Sequence, residues 1–160
     1  MVNYLRKSGK LKEEKKSLMT IVDASGLVLG RLASHVAKRI LIGENVVIIN
    51  AEKAIITGSK KNIVEKFKTR LGTKTFQSQK FAPVHARRPD TYVRRVIRGM
   101  LPWKKPRGKN AFRKLKVYIS VPKDYKEVST QTFLDAKKNI RPSMTVGDLL
   151  KIFGWKSTTE

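Results

Sequence analysis

The sequence predicts an α/β fold: a central, mainly parallel sheet of about four strands flanked by helices, with basic loops and a charged N-terminal arm. Three observations carry this. Between residues 18 and 72, short apolar runs alternate with segments of helical periodicity, the signature of strand-helix-strand layering. The run Val46-Val47-Ile48-Ile49 is apolar at successive positions, as a parallel strand covered on both faces requires. With 40% hydrophobic residues in 160, the chain has enough apolar side chain for one core of ordinary size.

Residues 1 to 17 carry Arg6, Lys7, Lys10, Lys12, Lys15 and Lys16 against Glu13 and Glu14, with scattered apolar residues, and read as a basic arm. Residues 18 to 122 read as the α/β core, and 123 to 160 as a C-terminal extension whose final helix docks on that core. Met19, Ile21 and Val22 form the first strand, and Asp23-Ala24-Ser25-Gly26 supplies a turn and a helix N-cap. Leu29, Leu32, Ala33, Val36 and Ile40 then recur at helical spacing, leaving Arg31, Ser34, His35, Lys38 and Arg39 on other faces, with Gly43 as the C-terminal cap. After the strand at 46 to 49, Ala54-Ile55-Ile56-Thr57 continues or follows it. Ser59 caps a second helix with Ile63, Val64, Phe67 and Leu71 on one face, ending at Gly72.

Residues 73 to 90 lack a period and read as a long loop. A third helix starts near Pro89-Asp90, with Asp90 as its cap; Tyr92, Val93, Val96, Ile97 and Met100 form its apolar stripe and Arg94, Arg95 and Arg98 its basic one. Pro102 ends it. Trp103 to Gly108 reads as a rigid cationic loop, Asn110 to Leu115 as a short basic helix, and Val117-Tyr118-Ile119 as a strand. Thr145-Val146-Gly147-Asp148 starts a last helix in which Leu149, Leu150 and Phe153 face the body and which Gly154 ends. The whole reads as Rossmann-like layering.

Charge points to the partner. With 36 Lys+Arg against 12 Asp+Glu, the formal charge is +24, and such self-repulsion destabilises a compact chain unless a polyanion neutralises it. Residues 84 to 116 hold twelve cations, Arg87, Arg88, Arg94, Arg95, Arg98, Lys104, Lys105, Arg107, Lys109, Arg113, Lys114 and Lys116, against the single acid Asp90. A solvated surface would normally mix acids into such a stretch, so the clustering marks one binding face. Seven of the twelve are arginine, whose planar fork matches phosphate bidentately and stacks on bases. Structured nucleic acid is therefore favoured over a membrane surface, whose helices need large apolar residues opposite the cations, and here the core demands those. Lys60, Lys61, Lys68 and Arg70 form a secondary set, although the Lys60-Lys61 pair reads equally well as solvated surface. Trp103, between Pro102 and Lys104, either stacks on an unpaired base or anchors the loop to the body.

Other chemistries are poorly supported. Cysteine is absent, which excludes disulfides, thiolate metal sites and a cysteine nucleophile. His35 and His85 lie on different elements without further ligands at metal spacing, so no metal is expected; His35 reads as a boundary residue and His85 as a possible phosphate contact. Gly26 and Gly30 flank a strand-to-helix turn but lack the tight Gly-x-Gly and the Gly-Lys-[Ser/Thr] of nucleotide loops. No cofactor, catalytic residue or small-molecule substrate is expected. The charged start lacks a signal peptide's apolar stretch, and no run is membrane-length, so an intracellular, soluble protein is expected. A DNA-binding architectural protein and an RNA-processing enzyme are the rivals; the first lacks a recognition-helix motif, the second a general base or metal-binding acids near the cations.

Four separated segments add a resemblance. Ile21-Val22-Asp23-Ala24-Ser25-Gly26 with Leu29-Gly30-Arg31-Leu32-Ala33, Ile49-Asn50-Ala51-Glu52-Lys53 with Ile56-Thr57-Gly58, Arg98-Gly99-Met100-Leu101-Pro102, and Leu115-Lys116-Val117-Tyr118 resemble, in the same order, the universal family of large-ribosomal-subunit protein thirteen. The likeness covers about residues 18 to 125, and Arg87-Arg88-Pro89-Asp90 with Trp103 to Gly108 looks archaeal-type. It implies a non-catalytic, cytoplasmic ribosomal protein with an α/β body, bound to large-subunit rRNA beside other ribosomal proteins and supporting subunit assembly. Carry-over of rRNA contacts is closest for Arg98 to Leu115. Two departures stand out: Ser120 lies where the family often has Gly, and the arm lies outside the shared core.

Overall fold

The computed structural model describes residues 19–73, 83–126, 128–137 and 142–157; the N-terminal arm lies outside them, as does the 74–82 part of the 73 to 90 loop. Strand β1 (Met19–Asp23) leads through a turn to helix α1 (Leu29–Ile42) and then β2 (Asn45–Ile49). Strand β2 is the centre of a three-stranded parallel sheet of order β1-β2-β4, with β4 at Leu115–Val117. The α/β reading holds, with three parallel strands rather than about four. The reason lies just after β2. Asn50 is left-handed (φ 54°) and opens a single 3-10 turn, Ala51–Lys53, which redirects the chain so that β3 (Ile55–Thr57) leaves the sheet. It pairs instead, antiparallel, with β5 (Ser143–Thr145), Ile56 opposite Met144.

The two faces of β2 have different covers. Val46 and Ile48 face a cluster built from Leu32, Val36 and Ile40 of α1 and from Val93 and Ile97 of helix α3 (Pro89–Gly99), all essentially inaccessible to solvent. Each such aliphatic side chain contributes about 1.5–3 kcal/mol on burial. Val47 and Ile49 face the other way, with Ile21, and are covered by Tyr118, Val121, Tyr125 and Val128. That cover is an irregular segment with one 3-10 turn, Lys123–Tyr125, in place of the helical layer expected on this side.

Helix α1 has its apolar stripe and its Gly43 cap (φ 117°, N–H to the Arg39 carbonyl) where the spacing predicts them. Its N-terminus is different. The N-cap residue is Val28, whose side chain has no oxygen to accept a capping bond, because Leu27 and Val28 are first drawn into the core and Val28 bridges to Ile55. Asp23 does not cap the helix. Its Oδ1 accepts from the Ser25 N–H at 3.0 Å, the Ser25 hydroxyl at 2.8 Å and Asn50 Nδ2 at 2.9 Å, an Asx turn that ties the end of β1 to the end of β2. Burial pushes the Asp23 carboxyl up, but the Asn50 and Ser25 hydrogen bonds and the nearby Lys53 charge outweigh it and hold its pKa below the usual aspartate value. A depressed folded-state pKa stabilises the fold above the unfolded value near 3.8 and ceases to do so as pH falls through the folded one. The urea midpoints of wild type and Asp23→Ala are therefore expected to differ by a constant amount at neutral pH and to converge in acid; a gap that persists at the most acid pH would show that the carboxylate's charge is not what stabilises the turn.

Helix α2 (Lys60–Gly72) is capped by Ser59, whose Oγ accepts from the Asn62 N–H at 3.4 Å, and buries Ile63 and Phe67. Helix α4 runs over Pro106–Arg113, beginning four residues before the expected start because Pro106, with its φ preset, occupies the first turn. Strand β4 lies two residues earlier than expected: Leu115 is the buried residue, and the ladder ends where the Tyr118 N–H reaches the Ile48 carbonyl. Ser120 then turns the chain at φ 60° while its N–H donates to Glu52 Oε2 at 3.1 Å. A left-handed conformation costs a β-carbon-bearing residue about 1–2 kcal/mol, partly offset by glycine's greater freedom when unfolded. Ser120→Gly is accordingly expected to stabilise by about 0.5 kcal/mol, seen as a higher urea midpoint; a lower midpoint would show that the serine relieves its own strain. Helix α5 (Val146–Ile152) is capped by Thr145, which accepts from the Asp148 N–H at 3.0 Å, and buries Leu149 and Leu150 in the main cluster.

Candidate nucleic-acid interface

Helix α3 sets the basic face by what it buries. Pro89 occupies its first turn, and Val93 and Ile97 point into the core with no exposed surface. At 3.6 residues per turn this forces Arg94, Arg95 and Arg98 outward, and all three are exposed. Asp90 is not the cap: Arg88 holds the N-cap position, and Asp90, inside the first turn, pairs with the Arg88 guanidinium at 3.3 Å.

Two of these arginines are organised by rings. The Arg98 guanidinium lies 4.1 Å from the Trp103 ring centre and that of Arg94 lies 4.6 Å from the Phe112 ring centre. Trp103 and Phe112 meet edge-to-face at 5.3 Å. The result is a continuous ladder, Arg98-Trp103-Phe112-Arg94, that joins α3 to α4. Each cation–π contact at such an exposed site contributes about 0.5–1 kcal/mol. More important for binding, a guanidinium resting on a ring keeps N–H donors available for a phosphate. Trp103 thus anchors the loop, and it still lines an open cleft with Arg95, Arg98 and Leu101.

Helix α4 reaches this position because Gly108 lets it lie against Pro102; a β-carbon built on Gly108 would stand 2.2 Å from the Pro102 carbonyl oxygen. Lys104, Lys105, Arg107, Lys109 and Arg113 are exposed around it, and Arg87 precedes α3, also exposed. Not every predicted cation is left free. Lys114 Nζ donates to the Gly43 carbonyl at 2.8 Å, placing its charge at the C-terminal end of α1, where the helix dipole favours a cation. Arg95 donates to the Val84 carbonyl and so tethers the segment before α3.

Of the secondary set, Lys60, Lys61, Lys68 and Arg70 are all exposed on α2. Phe67 of α2 packs edge-on against Tyr92 of α3 at 5.8 Å, which brings Arg70 beside Tyr92, His85 and Arg95 in one hollow. Burial raises the Tyr92 phenol pKa, with the Arg70 charge opposing. Arg70 therefore adjoins the main face, whereas Lys60 and Lys61 sit at the far end of α2. Phe112 and Lys66 were not singled out as site residues from the sequence. Phe112 meets its partners only through the tertiary packing of α4, so no local spacing marks it; Lys66 was legible as an exposed cation on the α2 surface. His35, read as a boundary residue, stacks on Phe133 at 4.8 Å.

Comparison with known proteins shows the family. The family described as Ribosomal protein L13 matches residues 17–124, which takes in the sheet, α3 and α4. Proteins named Large ribosomal subunit protein uL13 are similar over most of their length. That of Methanococcus maripaludis is 46% identical over 139 residues, 86% of this chain and 99% of the relative. That of Methanocaldococcus jannaschii is 43% identical over the same shares, and that of Methanopyrus kandleri is 49% identical over 112 residues, 70% of this chain and 69% of the relative. The matched region holds the parallel sheet and the cation-bearing helices together, and the chain belongs to the ribosomal protein L13 family.

Proposed function

We propose that the protein is a non-catalytic constituent of the large ribosomal subunit in the cytoplasm, where it binds large-subunit rRNA beside neighbouring ribosomal proteins and supports assembly of the subunit for translation. The observation that carries this is the face at 84 to 116, with twelve cations against one acid, organised by the ring ladder between α3 and α4. Its arginines and lysines neutralise phosphates where rRNA helices approach, releasing counterions and fixing their relative position. Arg87, Arg88, Arg94, Arg95, Arg98, Lys104, Lys105, Arg107, Lys109 and Arg113 make the contacts, while Lys114 is held at the Gly43 carbonyl at the end of α1. Lys60, Lys61, Lys68 and Arg70 extend the contact along α2, the basic arm at 1 to 17 adds charge, and residues 123 to 160 form an extension on the core.

Competition binding tests the reading. At about 0.2 M salt, where generic phosphate contacts weaken, the protein is expected to retain large-subunit rRNA against excess tRNA and duplex DNA. Equal displacement by every competitor would leave a generic nucleic-acid-binding architectural protein.

A further inference from the structure

Three adjoining hollows run along α3. The first, about 280 Å³, lies between the β3–α2 turn, α2 and α3 and is lined by Lys66, Arg70, Phe67 and Tyr92 above Ile63 and Leu149. It shares Phe67, Arg70 and Tyr92 with a second hollow, which adds His85, Val96 and Arg95. Arg95 is in turn a wall of the third, with Arg98, Leu101 and Trp103. Through these shared walls they follow one another as a grooved strip from α2 to the ring ladder. Cations and rings alternate along it: Lys66 and Arg70, then Tyr92 and His85, then Arg95, then Arg98 on Trp103. No acidic residue stands among the described residues that line it.

A duplex presents two ridges of phosphate with its bases stacked inside, and it meets a broad surface. A cleft with an apolar floor, rings along its walls and cations at its rim suits a single strand, whose bases reach the rings while its phosphates stay at the rim. We propose that this groove holds an unpaired stretch of RNA, with phosphates on Lys66, Arg70, Arg95 and Arg98 and bases against Tyr92, His85 and Trp103. The site joins α2 to the main face and gives Trp103 a recognition role that its anchoring of the loop leaves open. This rests on the reading of the α3–α4 face as RNA-binding; it adds that an unpaired stretch is held beside that face, with Arg95 and Arg98 on the edge the two share.

The test compares a short uracil-rich RNA oligonucleotide with a blunt RNA duplex of the same phosphate count, each labelled and titrated with the full chain. Lys66→Gln combined with His85→Leu, two residues outside the α3–α4 face, is expected to weaken single-strand binding by about tenfold or more, the loss of one stacking partner and one phosphate contact, and duplex binding by less than about threefold. His85→Phe in place of His85→Leu, which keeps a ring, should restore most of the single-strand affinity, and thermal melting checks that each variant is folded. Equal losses for both RNAs, or a leucine variant that binds the single strand as tightly as the phenylalanine one, would overturn the groove. Duplex binding with no single-strand binding by the wild type would overturn it while leaving the ribosomal reading intact; failure to bind either RNA would remove both. Displacement of the single strand by oligoglutamate at equal charge would instead assign the groove to an acidic protein segment and overturn the proposal.

Discussion

Gly108→Ala is expected to destabilise the protein by about 2 kcal/mol, although the same change in an exposed helix would stabilise it by about 1 kcal/mol through helix propensity. The sign is reversed by one contact. The added β-carbon would meet the Pro102 carbonyl oxygen at 2.2 Å and its carbon at 2.6 Å, distances at which something must shift, and the obstacle is backbone that no rotamer change can clear. Overpacking of this kind costs about 1–3 kcal/mol. The relaxation route is outward movement of α4, which carries Phe112 away from Trp103 and Arg94. The variant should therefore lose RNA affinity along with its lowered urea midpoint, without any change of charge. An unchanged or raised midpoint would show that α4 does not depend on this close approach.

Reversing Arg94 and Arg98 together to glutamate is expected to abolish stable association with the large subunit while the fold persists. Both side chains are exposed, so the body loses only two cation–π contacts, about 1–2 kcal/mol together. Binding loses far more. Two phosphate contacts disappear, each contributing about 0.7–0.9 to the slope of log affinity against log salt, and two carboxylates now face the phosphates. A fall in rRNA affinity of at least about hundredfold follows, with the variant left at the top of a sucrose gradient. Normal co-sedimentation would show that this face is not the one that meets RNA.

Much of this was legible in local pattern. The stripes of α1 and α2, the Gly43, Ser59 and Thr145 caps and the crowding of cations at 84 to 116 are all properties of neighbouring residues, and the fold places each where spacing puts it. What escaped depends on distant partners. Ile55–Thr57 looks like a continuation of β2, and only the left-handed Asn50 and a partner strand near the C-terminus show why it leaves. Asp23 has the residue type and position of a cap, but Asn50 competes for its carboxylate. Pro106 reads as a loop breaker until the helix it initiates is seen. Within the candidate site, exposure of Arg94 and Arg98 followed from periodicity, whereas the diversion of Lys114 to Gly43 and the ladder through Phe112 could not.

The pairing of β4 with β2 also bears on how the chain comes to fold. Strands β1 and β2 meet across one helix, but β4 can add to the sheet only after residues 50 to 114 have closed into a loop, and that loop holds more than half of all the lysines and arginines. Closure draws like charges to within about 8 Å screening distance of one another before the Val46 to Leu115 pairing can reward it. Folding of the free protein should therefore quicken as ionic strength rises, while its hold on RNA weakens. A polyanion present during synthesis would relieve the same repulsion, so that the RNA acts on the chain before the sheet is complete and not only after.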